Sequence, residues 1–386
     1  MQIKMGVAKA GIKPSGDYDI LVLRFNPSVY SAVFTQNSLA AAPVIYDKLV
    51  CSIQDKISAI VVNSGNANAA TGQKGFENAE KMAQITAENL GIEKEEVLVF
   101  STGVIGVQLP MDKVENGIKE ATKNLQDFDL ELSARAISTT DAFYKYYETT
   151  GEIDGKIFHI KGIAKGAGMI HPNMATMLAY IFTDVKIEKP LLDKVMKLVV
   201  ERTFNSISVD GCESTNDSFV IVATGENDIE IDDSNKVYFA KKIYEVALKL
   251  AKMIVKDGEG ATKLIEINIF GADTKEKAKK VAEAIATSNL FKTAMFGNDP
   301  NWGRILAAVG QLHHNIDFSK VKLYIGNYLI YAGEPIDFNK DEIVEYMKNN
   351  KEINIDLYLN QGEEDWSFYT CDLGYKYVEI NAEYTT

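Results

Sequence analysis

Cysteine is scarce. Only Cys51, Cys212 and Cys371 occur, odd in number, widely spaced and in no Cys-x-x-Cys arrangement, which excludes a disulfide framework or a zinc ribbon and points to a reducing compartment. Positive charge is also short: 41 Lys and Arg against 54 Asp and Glu leave a net charge of -13. No cluster of basic residues interrupts that balance, which argues against non-specific nucleic-acid binding, so a site for an acidic substrate must be made locally basic. No apolar run reaches membrane-spanning length, and the start, Met1-Gln2-Ile3-Lys4-Met5-Gly6, lacks the apolar stretch of a secretory signal. These absences predict a cytoplasmic protein with no membrane partner. No His, Asp and Glu spacing suggests a metal site, and there is no repeat, linker or low-complexity segment.

At 386 residues the chain exceeds an ordinary single domain, so two lobes or one large α/β unit are expected. Helical periodicity is read over 79–90, 113–124, 129–137 and 191–200. It also marks the stripe Phe239, Ile243, Val246, Leu250 and Ile254 and the run Ala278, Val281, Ala282 and Ile285. Strands are expected at 57–62, 97–100, 157–163, 176–183, 218–223, 264–269, 321–325, 353–359 and 377–382. A further pair, 19–23 and 31–35, is read about the turn signal Asn26-Pro27-Ser28. Around 290–304 polar and aromatic residues reach a second glycine-rich loop.

The densest mixture of unusual residues runs from Lys161 to Leu178, with two lysines, several glycines, a His-Pro pair and then Ala175-Thr176 at the head of an apolar, partly β-branched stretch. Glycine admits positive φ and close approach, while Pro172 biases His171 toward extended geometry, so this loop is held in shape. His171 reads as a loop-shaping residue, and the adjacent His313 and His314 need not face one site. A phosphate loop would need Gly-Lys followed by Ser or Thr, whereas Lys165 is followed by Gly166-Ala167-Gly168. A threonine becomes a useful nucleophile when it is the first residue of a chain and its own α-amine serves as base. That would require a cut between Ala175 and Thr176. Read on residues alone, Thr176 is an ordinary strand start and Ser101 to Gly106 an ordinary turn, while Asn63 to Asn68 is as readily a strand-to-helix loop as part of a site. Ser101 to Gly106 leaves a hydroxyl beside a glycine amide in a small-residue turn, a pair able to bind charge developing on a carbonyl oxygen. Ser138-Thr139-Thr140-Asp141 could cap a neighbouring element or contact substrate.

The stretch Lys165-Gly166-Ala167-Gly168-Met169-Ile170-His171-Pro172-Asn173-Met174-Ala175-Thr176-Met177 resembles the self-cleavage segment of the ArgJ family, the glutamate N-acetyltransferases or ornithine acetyltransferases of arginine biosynthesis. The resemblance continues in order through Val33 to Asn37, Asn63 to Ala69, Ser101 to Gly106, Asp210 to Asp217, Asp257 to Lys263, Asn298 to Arg304 and Asn381 to Thr386. It departs at Cys212 and Glu213, where the family pattern has Asp and Thr.

The resemblance implies an α/β (α+β) fold, a mixed-sheet sandwich flanked by helices with N-terminal-nucleophile-like architecture. It implies an alpha chain of residues 1–175 and a beta chain of 176–386, with a smaller C-terminal lobe from about 270, assembled as a heterotetramer of two alpha and two beta chains. It further implies acetyl transfer from N2-acetylornithine to glutamate without a cofactor; use of acetyl-CoA as a second donor varies within the family. By the same resemblance Thr176 is the nucleophile, and Thr102 and Gly103 form the oxyanion hole. The substrate contacts are Thr139, Thr140, Lys165, Thr176, Glu259, Asn381 and Thr386. Two other readings compete: an amidase or aminopeptidase of the same nucleophile class, and a non-catalytic amino-acid-binding protein.

Overall fold

A computed structural model describes residues 1–171 and 177–383, in two compact units. The first comprises the described residues of Met1–Asn205 with Cys212–Ile254; the second comprises Ser206–Gly211 and the described chain from Val255 onward.

The first unit is built on a mixed sheet. Its central path runs β4 (Val97–Val104), β3 (Lys56–Asn66), β2 (Ile20–Phe34), β11 (Ser218–Ala223), β8 (Leu178–Thr183), β7 (Lys156–Lys165) and β6 (Lys145–Ile153). β1 (Lys4–Ala8) pairs with β2 and with the short β5 (Gln126–Asp127). β3 runs parallel to β4 and β8 to β11; the other neighbours on the path are antiparallel. β8 and β11 are buried along their whole length, which is why 178–183 and 218–223 read as continuous apolar runs rather than alternating ones. β9 (Lys186–Ile187) and β12 (Glu230–Ile231) form a separate parallel pair.

Helices Ala42–Ile53, Gly72–Leu90, Met111–Lys123, Leu130–Ile137, Lys189–Arg202 and Lys236–Lys256 accompany this sheet. The last packs close on β7: a Cβ added at Gly162 would lie 2.7 Å from Val246 and 2.8 Å from Leu250, so the glycine makes room for the helix.

The expected strand pair at 19–35 is one long strand. Asn26 and Pro27 sit exposed at a register shift against β3, where a missing N–H costs no ladder bond, and Ser28 Oγ donates to the carbonyl of Asn26 at 2.6 Å. The turn signal is a bulge. β6 is an element the periodicity reading passed over, although Asp154 (φ 51°) and Gly155 (φ 75°) form the two-residue turn that joins it to β7.

The second unit carries a six-stranded sheet in the order β10 (Ile207–Ser208), β17 (Glu364–Cys371), β13 (Leu264–Ala272), β16 (Glu352–Tyr358), β14 (Lys322–Ile325) and β15 (Tyr328–Ala332). Helix Lys275–Ala286 buries Ala278, Val281, Ala282 and Ile285 against β13 and β17, the face its spacing predicts. Asn289–Phe296 and Trp302–Gly310 are helices joined through Gly297–Asn301, with Asn301 capping the second. The expected strand at 377–382 is instead part of the helix Tyr375–Glu383. None of its residues is buried, and Val378 is 66% exposed, so the alternation there has no sheet face to fill and the helix satisfies its own backbone.

Candidate active site

Thr102 and Gly103 lie not in a turn but at the carboxyl end of β4, which continues to Val104 beside the equally extended β3. The two strands approach so closely that a Cβ at Gly103 would fall 2.3 Å from the carbonyl carbon of Gly65 and 2.5 Å from the amide of Asn66; Gly103 (φ 133°) and Gly65 (φ 104°) make that approach possible. The small-residue run therefore extends a strand pair beyond the point where a side chain would have ended it.

The asparagines around this end are staples. Asn63 Oδ1 accepts from Ser101 Oγ at 2.6 Å, and Asn66 Nδ2 donates to the carbonyls of Val107 and Gln108. Asn68 Nδ2 donates to the carbonyl of Gly75, and Asn216 Nδ2 reaches the carbonyls of Ala67 (2.6 Å) and Ser101 (2.8 Å). Asn68 itself takes positive φ (49°), a conformation asparagine tolerates. Asn63 to Asn68 thus has a structural role that its composition left open.

Lys165 ends β7, and its Nζ donates to Thr102 Oγ1 at 3.1 Å. A hydroxyl that accepts from an ammonium keeps its own hydrogen for a third group. Thr102 is nearly buried, so that hydrogen acts in a site of low local dielectric. Behind this pair sits Asp141. It forms an ion pair with Lys145 at 2.6 Å, both side chains fully buried, and it accepts the amides of Gly166 (2.8 Å) and Thr139 (2.9 Å). Burial opposes its charged form, but the Lys145 and Lys165 charges and the Gly166 amide outweigh it and hold the carboxyl well below the ordinary range. Asp141 organises the start of the glycine-rich loop and the Thr139-Thr140 turn together, a role that its sequence neighbours did not reveal.

Asp217 was also not singled out, although the segment that contains it was. It is buried just ahead of β11, and its Oδ2 has no hydrogen-bond partner. Desolvation pushes this carboxyl well above its ordinary value, against the opposing effects of Lys165, the Ser214 hydroxyl and the Met177 amide. Two groups of opposite tendency thus share the surroundings of Lys165: Asp141 held ionised and Asp217 biased toward its neutral form.

In the second unit Glu259 and Asn381 meet: Asn381 Nδ2 donates to Glu259 Oε2 at 2.9 Å and to the carbonyl of Tyr377 at 3.0 Å. Gly260 (φ 74°) lets the loop press against the first turn of helix Tyr375–Glu383, where a Cβ would come 2.5 Å from the Tyr377 amide. Ala175, Thr176 and Thr386 lie outside the described residues, as do Pro172 to Met174. Thr139 and Thr140 are half-buried beside Asp141. Among the described residues no group of three His, Cys, Asp or Glu side chains is arranged to hold a metal ion.

Residues 4–386 match the model described as the ArgJ family. The arginine biosynthesis bifunctional protein ArgJ of Aquifex aeolicus is 48% identical over 387 residues, covering 100% of both chains. The protein of the same description from Caldanaerobacter subterraneus subsp. tengcongensis is 46% identical over 390 residues, covering 98% of this chain and 95% of its own. Among solved structures, the argJ protein of Bacillus halodurans aligns at 37% identity and a TM-score of 0.51, covering 53% of this chain and 98% of that one.

Mixed sheets flanked by helices, with polar side chains gathered at strand ends, define a mixed α/β protein. The chain belongs to the ArgJ family of arginine-biosynthesis enzymes.

Proposed function

We propose that this protein transfers the acetyl group of N2-acetylornithine to glutamate through an acetyl ester on Thr176, after cutting itself between Ala175 and Thr176. The observation that carries the proposal is the 3.1 Å contact between Lys165 Nζ and Thr102 Oγ1, which joins two residues 63 positions apart whose proposed roles belong to one reaction. The family membership supports the substrate pair. The net charge of -13 makes the lysine at Thr102 the more distinctive.

In the first half-reaction Thr176 Oγ attacks the acetyl carbonyl while its proton passes to the α-amine of Thr176, whose ordinary pKa of roughly 7.7 to 8.0 suits a base at neutral pH. Negative charge builds on the carbonyl oxygen. Thr102 Oγ donates its remaining hydrogen to that oxygen, with the Gly103 amide as the second donor. The carbon–nitrogen bond then breaks, and the proton returns to the departing amine of ornithine. In the second half the neutral amine of glutamate attacks the ester, the same donors hold the oxyanion, and N-acetylglutamate leaves as Thr176 Oγ regains its proton. Lys165, Glu259 and Asn381, with Thr139, Thr140 and Thr386, serve the amino-acid backbone and side-chain groups, Lys165 as partner of a carboxylate.

Purified protein on a denaturing gel should give two bands, the second beginning Thr176-Met177-Leu178 on N-terminal sequencing, and Thr176→Ala should remain one chain. Incubated with N2-acetylornithine alone, the fragment starting at Thr176 should gain one acetyl mass, lost again when glutamate is added. An acetyl group on a cysteine, or release of free acetate as the main product with glutamate present, would overturn the transfer scheme; the latter would mark an amidase. Replacing the donor with acetyl-CoA in the same assay decides whether the protein has a second activity.

A further inference from the structure

Within the first unit, on residues that the acetyl-transfer scheme uses only in part, lies a cavity of about 440 Å³. That is the size of a small-molecule site rather than of one bound water. Its lining includes Lys9, Lys13, Asp17, Arg135, Thr139 and Asp141.

The charges around it are unequal. Asp17 is neutralised by Arg135, whose Nε reaches both its oxygens (3.1 and 3.0 Å) and whose Nη2 lies 2.9 Å away. Asp141 is neutralised by Lys145. A third carboxylate, Asp19, is buried behind the lining and is held by backbone amides of Ala10, Ile12 and Lys13. Against these three carboxylates stand five cations, Lys9, Lys13, Arg135, Lys145 and Lys165, in a chain that carries a net charge of -13. The cavity is a local positive region in an acidic protein.

Three of the cations are also held in place. Lys9 Nζ and the Arg135 guanidinium lie 4.9 and 5.3 Å from the centroid of the Tyr18 ring. Lys13 is nine-tenths buried, and its Nζ donates to the carbonyls of Tyr18 (2.6 Å) and Ala136 (3.2 Å). An ammonium has three hydrogens, so one donor remains beyond those two carbonyls. The turn Lys13-Pro14-Ser15-Gly16, closed by the Gly16 amide on the Lys13 carbonyl at 3.1 Å with Gly16 at φ 69°, fixes the lysine backbone at the cavity wall.

We infer that this cavity is an oxyanion-binding subsite, with Lys13 as its buried donor and Lys9 as its outer cation. The ligand group is a carboxylate or a phosphate. Two sources fit that chemistry: an amino-acid substrate held by a second carboxylate, and the phosphates of a coenzyme A type acyl donor. Burial lowers the Lys13 ammonium to about 8, against the opposing pull of Asp17, Asp19 and Asp141 and with the help of Lys165; Lys9, Arg135 and Tyr144 line the same space. A bound oxyanion favours the charged lysine, so binding takes up protons near pH 8 and weakens as the pH rises through that value.

The test is calorimetric titration of the full-length protein with three probes, namely sulfate, glutamate and coenzyme A, in buffers of differing ionisation heat between pH 6.5 and 9. Sulfate does not titrate in this range, so any proton uptake belongs to the protein. Wild type should bind sulfate with proton uptake, with affinity falling toward tenfold per pH unit above 8. Lys9→Ala, at an exposed residue outside the acetyl-transfer machinery, should weaken sulfate binding about fivefold or more while N2-acetylornithine to glutamate exchange at saturating substrate is unchanged. Parallel weakening of coenzyme A binding identifies the donor as the source; parallel weakening of glutamate binding, with a raised glutamate KM, identifies the amino acid. Sulfate binding that is absent, that takes up no proton, or that is unaffected by both Lys9→Ala and Lys13→Met would overturn the inference. The sulfate and coenzyme A titrations require no turnover, so their failure leaves the acetyl-transfer proposal standing, and failure of that proposal leaves them intact.

Discussion

Thr102 and Asp217 carry separable predictions at the scale of single residues. Removing an oxyanion donor typically costs about 100- to 1000-fold in turnover, because the bond forms fully only as charge develops. Thr102→Ala should therefore lower kcat by about that order with KM within a few-fold, and Thr102→Ser should restore most of it. The assay must use fully cut protein, since the same hydroxyl would serve the cut itself; wild-type kcat in processed Thr102→Ala would remove Thr102 from the transition state. For Asp217 burial raises the folded pKa, so the folded state binds its proton more tightly than the unfolded chain does. The corresponding stability is fully present below the unfolded value of about 3.9 and is lost as the pH rises toward the folded one. Asp217→Asn has no proton to lose. Its stability relative to wild type should rise between pH 5 and 8, read from urea midpoints at fixed salt; parallel pH curves for the two proteins would show that Asp217 is ionised throughout.

At the scale of elements, the end of the β3–β4 pair depends on two glycines meeting without side chains. Gly103→Ala places a methyl carbon within 2.5 Å of two backbone atoms of β3 and strains a positive φ. Overpacking and strain of this kind cost roughly 1 to 3 kcal/mol each. We expect a loss of about 2 to 5 kcal/mol in chemical denaturation. Because Thr102 is the preceding residue, activity should fall further than Thr102→Ala alone explains; a variant as stable and as active as wild type would mean that the strands part at no cost. The same scale holds the differences from the sequence reading. Asn26-Pro27-Ser28 carries a turn composition, yet the partner β3 absorbs it as a bulge, and 377–382 alternates like a strand but has no sheet edge to join.

For the whole molecule, the proposed cut between Ala175 and Thr176 falls between neighbours in one sheet. β7 lies before the cut and β8 after it, with Lys165 paired to Leu178 through to Ile160 paired to Thr183, and β2 pairs with β11 across the same boundary. Fragments of 175 and 211 residues (386 less 175) would stay joined by these ladders and by the core they enclose. Native mass should therefore be the same before and after the cut, and should divide only in denaturant. Light scattering of wild type and Thr176→Ala checks this. Loss of one fragment under native conditions would contradict the shared sheet.

Local pattern determined much of this protein. The stripes Phe239 to Ile254 and Ala278 to Ile285, the helices read over 79–90, 113–124, 129–137 and 191–200, and the buried runs 97–100, 178–183 and 218–223 are visible because burial repeats at the period of the element that creates it. The family is visible too, because several uncommon motifs stand in one order, and with it Thr102 and Lys165 as residues worth watching. Tertiary structure alone decided what those residues touch. Asn216 reaches the carbonyl of Ala67, 149 positions away, and Ser101, 115 away; Asp141 gathers Lys145, Thr139 and Gly166; Lys13 and Arg135 come together over a cavity. Polar partnerships of this kind leave no periodic trace, since a side-chain hydrogen bond depends on which distant carbonyl the fold brings within 3 Å, whereas apolar burial is written residue by residue along each element.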